Sequence, residues 1–275
     1  MRNLRRVVLA LLCLSWAVSV PAEELALDDY EAFTGFVDVW WDEGTGRLLM
    51  RVEQFDTPFL YQTSLPRGVG SNDLGLDRGQ LGSTKVVRFL RSGPKVLLVE
   101  DNLQYRATSA NASERQAIEE SFARSVLWGF TDIDDGDDAT IVDATAFFVR
   151  DVHGVADRLK QLGEGSFQAD DSRSAIYLPR TRAFPDNTEV EAIVTLVGEP
   201  TGQHLPSVMP DWNALTVHVH HSLIRLPDDD YEPLPYDPRS GVIGLRYDDG
   251  GFLDYASPIG APLVQDFGRR HRLEK

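Results

Sequence analysis

The chain has 275 residues, of which 43 are Asp or Glu and 27 are Lys or Arg, so its formal net charge is −16. An acidic surface of this kind repels phosphate backbones and anionic lipid headgroups, which excludes nucleic acids and membrane surfaces as expected partners. A chain of this length can bury one large core or two small ones.

The N terminus has the features of a secretory signal peptide. Three arginines precede an apolar run from Val7 to Val20, and the small residue Ala22 marks the predicted cleavage site. The run is shorter than the roughly 20 residues that a membrane-spanning helix needs. We therefore expect residues 1–22 to be removed and the protein to be periplasmic or secreted, with no membrane attachment. Cys13 would leave with this segment, so no disulfide or thiolate metal ligand is expected afterwards.

Short apolar and β-branched runs, separated by Gly, Pro and Asp, dominate the rest of the chain and favour β-strands. Two segments have helical periodicity: 114–128, where Ser113 and Gln116 form a predicted capping box, and 152–162, which follows Asp151. Because turns separate most strands, we predict an α+β fold, predominantly an antiparallel β-sheet with about two main helices. The predicted divisions are the signal peptide 1–22, a sheet-rich N-terminal domain 23–226, and a Pro- and Asp-rich segment and connector 227–275.

Half of the histidines lie in the segment ALTVHVHHSLIRLP, at His218, His220 and His221. On an extended strand His218 and His220 share one face, whereas His221 lies on the opposite, apolar face. Two imidazoles at this spacing can reach one zinc ion, but no neighbouring segment supplies an obvious third ligand. We therefore favour a polar sheet face with ordinary histidines, and keep His218 and His220 as weak metal-ligand candidates.

Two polar segments contain the candidate binding residues. The longest glycine-rich loop, residues 68–82, lacks the strand, helix and Lys–Ser/Thr pair that surround a phosphate-binding loop. Its polar side chains either pair with one another to fix the loop or form a binding surface. Arg78 of this loop and Arg239 of the segment YDPRSG are either anion or carboxylate anchors, or buried structural arginines paired with Asp77 and Asp237. The candidate binding residues are Asn72, Asp73, Asp77, Arg78, Asp237 and Arg239.

Several long segments resemble the N-terminal region of a family of exported bacterial zinc-dependent metalloproteases. They include SFARSVLWGF, RSAIYLPRTRAFPDNTEVEAIVTL, HHSLIRLPDDDYEPLPYDPRSG and RRHRLEK, in this order along nearly all of the expected mature chain. In that family a domain of unknown function follows the signal peptide and precedes a zinc peptidase domain. The resemblance therefore implies an N-terminal portion of such a protease.

The resemblance does not supply catalytic residues. The zinc-binding H-E-x-x-H helix of such proteases lies downstream of the segment that resembles RRHRLEK, and no position of this chain matches it. We therefore expect no peptidase activity and no cofactor in this chain, with zinc only in a downstream peptidase domain. The implied role is a non-catalytic accessory domain that packs on or assists a downstream or separate peptidase domain, with a peptide or protein substrate as a further partner. The alternative is a free-standing periplasmic binding or inhibitory protein.

Overall fold

The computed structural model describes residues 27–135, 139–228, 230–241, 243–245 and 251–269. The predicted signal peptide, residues 1–22, lies outside these ranges and stays a prediction. Within them, no helix has the length and apolar character needed to cross a bilayer.

Strands make up most of the regular structure, and thirteen of the described strands form one sheet whose pairings are antiparallel. Its order is β1-β2-β3-β9-β8-β6-β5-β4-β14-β13-β10, and β11 and β12 also pair with β13; two small sheets have the orders β15-β19-β16 and β18-β17-β7. The strands are β1 Glu31–Phe33, β2 Val39–Asp42, β3 Arg47–Val52, β4 Phe59–Arg67, β5 Gln80–Ser92, β6 Lys95–Glu100, β7 Tyr105–Arg106, β8 Ser125–Asp135, β9 Thr140–Asp143, β10 Gly165–Ala169, β11 Ala175–Ile176, β12 Arg182–Phe184, β13 Asn187–Pro200, β14 Ala214–Arg225, β15 Leu234–Pro235, β16 Gly244–Leu245, β17 Phe252–Asp254, β18 Val264–Gln265 and β19 Phe267–Gly268.

The long pair of β13 and β14 shows how the sequence produces a two-faced sheet. Successive side chains of a strand point to opposite faces, and the odd-numbered residues of β14 from Leu215 to Leu223 are all buried. Their partners on β13, from Val190 to Leu196, present a second buried apolar row. The predicted arrangement of the histidines is confirmed, because His221 lies on this inner face and His218 and His220 lie on the outer one.

The described ranges contain the short helices α1 Ala112–Ser121, α2 Thr145–Phe148, α3 Val155–Gln161 and α4 His204–Val208. Helices α2, α3 and α4 contribute side chains to the buried cluster on the inner face of the sheet, whereas α1 has no buried residue. Phe147 and Phe148 of α2 and Val155 and Leu159 of α3 belong to the same buried cluster as the inner residues of the sheet. Burial of one such side chain contributes about 1.5–3 kcal/mol, so the helices and the sheet stabilise each other. The fold is β-rich and agrees with the broad α+β prediction.

The helix predicted over 114–128 is wrong in both its start and its end. Helix α1 runs from Ala112 to Ser121, and its cap is Asn111, whose side chain accepts a hydrogen bond from the Ser113 amide at 3.0 Å. Residues from Ser125 onward form β8, in which Trp128 pairs with Leu98 of β6. β-branched and aromatic side chains suit a strand, and cross-strand pairing decided the outcome over the helical periodicity.

The helix predicted over 152–162 is confirmed at its centre but is shorter, since α3 runs from Val155 to Gln161. The Asp151 carboxylate accepts hydrogen bonds from the amides of Val155 at 2.9 Å and Ala156 at 2.8 Å, so it satisfies the helix start as expected. Gly163 follows with a φ of 74°, a left-handed conformation that ends a helix without the strain a side chain would add.

The segment after residue 227 returns to the body of the protein. Strand β17 pairs in parallel with β7, where Leu253 lies opposite Tyr105 and Asp254 lies opposite Arg106. The buried Asp254 carboxylate accepts hydrogen bonds from the amide of Thr108 at 3.0 Å and from its hydroxyl. These bonds tie the Pro- and Asp-rich segment to the sheet-rich part of the chain.

Candidate functional site

His218 is buried on the outer face of the sheet, beneath an aromatic ring. Its Nδ1 lies 2.7 Å from Oε1 of Glu191 on β13, and the imidazole donates because an ionised carboxylate only accepts. Tyr177 covers the imidazole edge to face, with ring centroids 4.9 Å apart. The Arg67 guanidinium lies over Tyr177, 5.3 Å from its ring centroid, and donates to its hydroxyl at 3.3 Å. The histidine is thus connected to the surface through an aromatic and a cationic side chain.

His220 forms the second histidine–carboxylate pair of the outer face. Its Nε2 lies 2.6 Å from Oε2 of Glu189, which also accepts from the Ser222 hydroxyl, while Asn187 donates to the other carboxylate oxygen at 2.6 Å. Partial burial disfavours ionisation of Glu189, but the three hydrogen bonds outweigh it and lower the pKa of this carboxyl. Nδ1 of the same imidazole lies 3.8 Å from Glu191. The outer face therefore carries an alternating network of carboxylates and imidazoles.

His221 belongs to the core and not to this network. Its Nδ1 accepts from the Tyr61 hydroxyl at 2.8 Å, and its Nε2 donates to the Phe148 carbonyl at 2.9 Å. Complete burial, aided by the positive charge of Arg150, lowers the pKa of His221 to about 3. The neutral imidazole joins β14 to β4 on one side and to α2 on the other.

These contacts bear on whether His218 and His220 can bind a metal ion. Each imidazole uses one nitrogen for a carboxylate, as metal-ligating histidines also do, but the described residues include no group of three or more His, Cys, Asp or Glu side chains that could hold a metal ion. A zinc site normally needs at least three protein ligands. The two histidines form hydrogen bonds to carboxylates. Metal analysis of the purified chain tests whether they also bind a metal ion.

An open groove of about 710 Å³ lies beside His218 on the outer face. Five short segments line it: the end of β4, both arms of the glycine-rich loop, the start of β5, the turn after β11, and β13. This set of segments places Arg67, Arg78 and Arg180 around one space. The lining residues are Ser64, Pro66, Arg67, Gly68, Gly70, Arg78, Gly79, Leu81, Arg180 and Glu191.

The three arginines of the groove differ from seven other arginines of the described chain, which form ion pairs with carboxylates. None of them forms an ion pair with a carboxylate in the part of the chain that the structure describes; Arg67 contacts only the Tyr177 ring and hydroxyl through its side chain. Several described arginines outside the groove also form no ion pair with a carboxylate, so the distinguishing feature is that three such arginines line one groove in a chain with 43 acidic and 27 basic residues. Arginines that do pair with carboxylates are Arg47, Arg51, Arg88, Arg124, Arg173, Arg225 and Arg239.

The glycine-rich loop is anchored from beneath. Leu74 and Leu76 are buried, and the Arg158 guanidinium of α3 donates to the Leu74 carbonyl at 2.9 Å. The two arms of the loop approach so closely at Gly68 that a Cβ there would lie 2.0 Å from the Leu76 carbonyl oxygen. Only glycine fits this position, and the close approach gives the loop a defined shape.

The four candidate binding residues predicted in this loop do not form one site. The Asn72 amide, oriented to satisfy its neighbours, donates to both oxygens of Asp77, at 3.0 and 3.1 Å. This pair corresponds to the alternative in which loop side chains fix the loop. Asp73 is exposed and contributes to raising the pKa of His204. Arg78 alone of the four predicted loop residues lines the groove.

The predicted pair of Asp237 and Arg239 lies outside the lining of the groove. Arg239 donates to Asp237 through Nε at 3.0 Å and Nη2 at 2.8 Å, and its guanidinium lowers the pKa of the Asp237 carboxyl. This bidentate ion pair corresponds to the predicted alternative in which Arg239 pairs with Asp237 and does not serve as an anchor for another molecule. Arg239 is exposed and Asp237 is half-buried, so the pair is not the buried one that this alternative predicted.

Sequence reasoning missed Arg67, Arg180, Tyr177 and Glu191. A signal was present, since Arg67 and Arg180 each end a Leu-Pro-Arg tripeptide, at 65–67 and 178–180. Their meeting depends on the pairing of β4 with β14 and of β13 with β11, which no local pattern reveals.

Comparison with known proteins gives one match. The family model described as a domain of unknown function, DUF5117, matches residues 79–275. No curated protein and no solved structure matches the chain.

Proposed function

We propose that this chain, which belongs to the DUF5117 family, is a non-catalytic accessory domain of an exported zinc-dependent metalloprotease. It would pack on, shield or help to fold the peptidase domain, or present substrate to it. The association with such proteases comes from the resemblance of the sequence segments.

One structural observation carries the non-catalytic, binding role. The outer face combines imidazoles that already hold carboxylates with three arginines that hold none in the described chain. A catalytic histidine needs a carboxylate that orients one nitrogen and a nucleophile or substrate at the other; the carboxylates are present, but no described nucleophilic side chain is hydrogen-bonded to the second nitrogen of His218 or His220. Unpaired guanidinium groups around a groove instead suit the capture of another molecule. This favours a role in recognition over one in hydrolysis.

Two measurements test whether the chain is catalytic: its zinc content and its ability to hydrolyse a protein substrate. We expect purified chain, dialysed after exposure to zinc, to hold less than about 0.1 equivalent of zinc, since a stable site needs three ligands. We also expect no hydrolysis of denatured casein with zinc present. One equivalent of zinc that is lost in a His218→Ala, His220→Ala double variant, together with casein hydrolysis, would contradict the proposal.

The accessory role is decided by association with a peptidase. An H-E-x-x-H domain encoded in frame or in an adjacent gene is expressed with and without this chain. We expect the two to elute together in size-exclusion chromatography and the chain to raise the soluble yield or the activity of the peptidase. A peptidase domain that is equally soluble and active alone, and that elutes separately, would argue against this role.

The groove favours a second candidate, a free-standing exported binding or inhibitory protein. Such a protein would need no peptidase partner, and its arginines would engage a carboxylate of a different molecule. Affinity capture from the exported fraction separates the two candidates, because an accessory domain retains a peptidase whereas a free-standing protein retains another partner. N-terminal sequencing of the exported protein, expected to begin after Ala22, tests the export that both candidates require.

A further inference from the structure

We infer that the groove bounded by Arg67, Arg78 and Arg180 binds the C-terminal carboxylate of a peptide. This inference rests on the proposed recognition role and names its ligand class. Hydrolysis of a peptide bond by water yields one new carboxylate and one new amine, so a free C terminus is the product that a protease partner would release. The groove would hold such a product or a native C terminus of the same chemistry.

The charge of the ligand follows from the arginines. A guanidinium presents five N–H donors in a planar fork that matches the two oxygens of a carboxylate. Three such groups line one groove, and none has a carboxylate partner in the described residues although the chain is strongly acidic. The positive groups lie around this groove because the ends of β4, the loop and the turn Leu178–Arg180 converge there. An anion is therefore the complementary ligand.

The remaining lining favours a peptide over a small inorganic anion. The volume of about 710 Å³ lies within the roughly 300–1,000 Å³ of sites for organic ligands, and a carboxylate alone fills little of it. Leu81, 74% exposed, and Pro66 provide apolar surface for a side chain. Glu191, which is 3% exposed, also lines the groove and supplies an acceptor, because its Oε2 lies 3.8 Å from His220 Nδ1, beyond hydrogen-bond distance. The last residue of a peptide carries a carboxylate, an adjacent N–H donor and a side chain, which match these three features.

The loop that carries Arg78 is held in shape before any ligand arrives. The amide of Gly79 donates to the Leu65 carbonyl at 2.8 Å, and the amide of Val69 donates to the Leu76 carbonyl at 2.8 Å. Arg158 holds the base of the loop through the Leu74 carbonyl. A site that is ordered in advance loses less conformational freedom on binding. The loop therefore needs no rearrangement to present the Arg78 guanidinium.

Fluorescence anisotropy of the purified chain tests the inference with a defined probe. The probe is an N-terminally fluorescein-labelled hexapeptide, otherwise uncharged, that ends in Ala-Leu with a free carboxylate, and its matched control carries a C-terminal amide. We expect the free acid to bind at least about tenfold more tightly than the amide, because charge-assisted hydrogen bonds are lost in the amide. The variants Arg67→Gln, Arg78→Gln and Arg180→Gln should each weaken binding of the acid by about tenfold.

The Arg239→Gln variant is the control, since Arg239 is an exposed arginine outside the groove. Its affinity should equal that of the unchanged chain. Arg78→Lys keeps the positive charge but lacks the planar fork of donors, and it should also weaken binding. This variant gives a second test if circular dichroism shows that a Gln variant fails to fold.

Equal binding of acid and amide, no effect of the groove variants, or competition by sodium phosphate as strong as by unlabelled peptide would each overturn the inference. Co-elution with a peptidase domain in such a case would leave the accessory role intact, so the two failures are distinguishable.

Discussion

The hydroxyl of Tyr61 and Nδ1 of His221 are 2.8 Å apart in the core, on adjacent antiparallel strands. Burial raises the pKa of the phenol and, with Arg150, lowers that of the imidazole to about 3. Both groups are therefore neutral, and the phenol donates while the imidazole accepts. A single histidine links two strands and a helix because its other nitrogen donates to the Phe148 carbonyl.

Replacement of Tyr61 by Phe should remove the donor and leave a buried acceptor without a partner. We expect the free energy of unfolding to fall by about 1–3 kcal/mol, the cost of one unsatisfied buried polar group. Urea denaturation followed by tryptophan fluorescence measures the change. An unchanged midpoint would mean that this bond contributes nothing to the folded state.

The titration of His221 predicts a dependence of stability on pH. The unfolded imidazole has an ordinary pKa near 6.5 and the folded one a pKa of about 3, so the unfolded chain binds one more proton between these values. The free energy of unfolding should therefore rise with pH in this window, by up to about 1.4 kcal/mol per pH unit from this residue. Thermal or urea unfolding at a series of pH values, with His221→Gln as the non-titrating control, should give a shallower slope for the variant. Equal slopes would refute the assignment.

The cap of α1 gives a matched pair of substitutions. Asn111→Ala removes the side chain that accepts from the Ser113 amide and should cost about 1 kcal/mol. Ser113→Ala removes the residue that the sequence pattern identified as the cap and should change stability by less than about 0.5 kcal/mol. Denaturation midpoints of the two variants check the prediction, and a larger loss for Ser113→Ala would reverse it.

Substitution of two leucines near the groove distinguishes a side chain that stabilises the loop from one that is available to a ligand. Leu74 is fully buried, so Leu74→Ala should lower the free energy of unfolding by about 2–5 kcal/mol. Leu81 is 74% exposed, and Leu81→Ala should leave stability within about 0.5 kcal/mol while reducing peptide binding. Denaturation and anisotropy are measured on the same samples. A destabilising Leu81→Ala would show that this side chain packs and is not available to a ligand.

Glu164 and His204 form a further testable pair at the start of α4. His204 Nδ1 lies 2.6 Å from Glu164, and this hydrogen bond raises the pKa of the imidazole above its ordinary value. The associated stabilisation is present below pH 6.5 and is lost as the pH rises through the folded pKa. NMR titration of the imidazole should show the raised pKa, and Glu164→Gln should bring it back toward 6.5. An identical titration curve in the variant would argue against the pair.

The alternation of His218, His220 and His221 was predictable because the two-residue period of a strand is a local property. The end of α1 was not, because Ile118, Phe122 and Val126 have the spacing of one helical stripe, although the chain from Ser125 onward forms a strand. Pairing with β6 decided between these possibilities. The correct cap was visible in principle, since Asn111 and Glu114 have the spacing of a capping box and their side chains are hydrogen-bonded at 3.2 Å.

The candidate site was predictable only in part for the same reason. The glycine-rich loop and Arg78 were identified from composition, which reflects local backbone requirements. Arg67 and Arg180 are separated by more than a hundred positions and meet through strand pairings that depend on the assembly of the whole sheet. The position of Glu191 in the lining of the groove depends on the strand register that places it opposite His220. Properties of this kind arise from tertiary structure and have no signature in a short window.

The contact between Thr108 and Asp254 also has a consequence for folding during synthesis. The two residues are 146 positions apart, so β7 emerges from the ribosome long before the strand that pairs with it. In the described residues of the folded protein Tyr105 stacks on Phe122, with ring centroids 3.9 Å apart, and also contacts Tyr255, which is synthesised later than both. Closing so long a loop is an entropic cost that the nascent chain meets late. The small mixed sheet of β7, β17 and β18 can therefore form only after the strands of the large sheet have been synthesised.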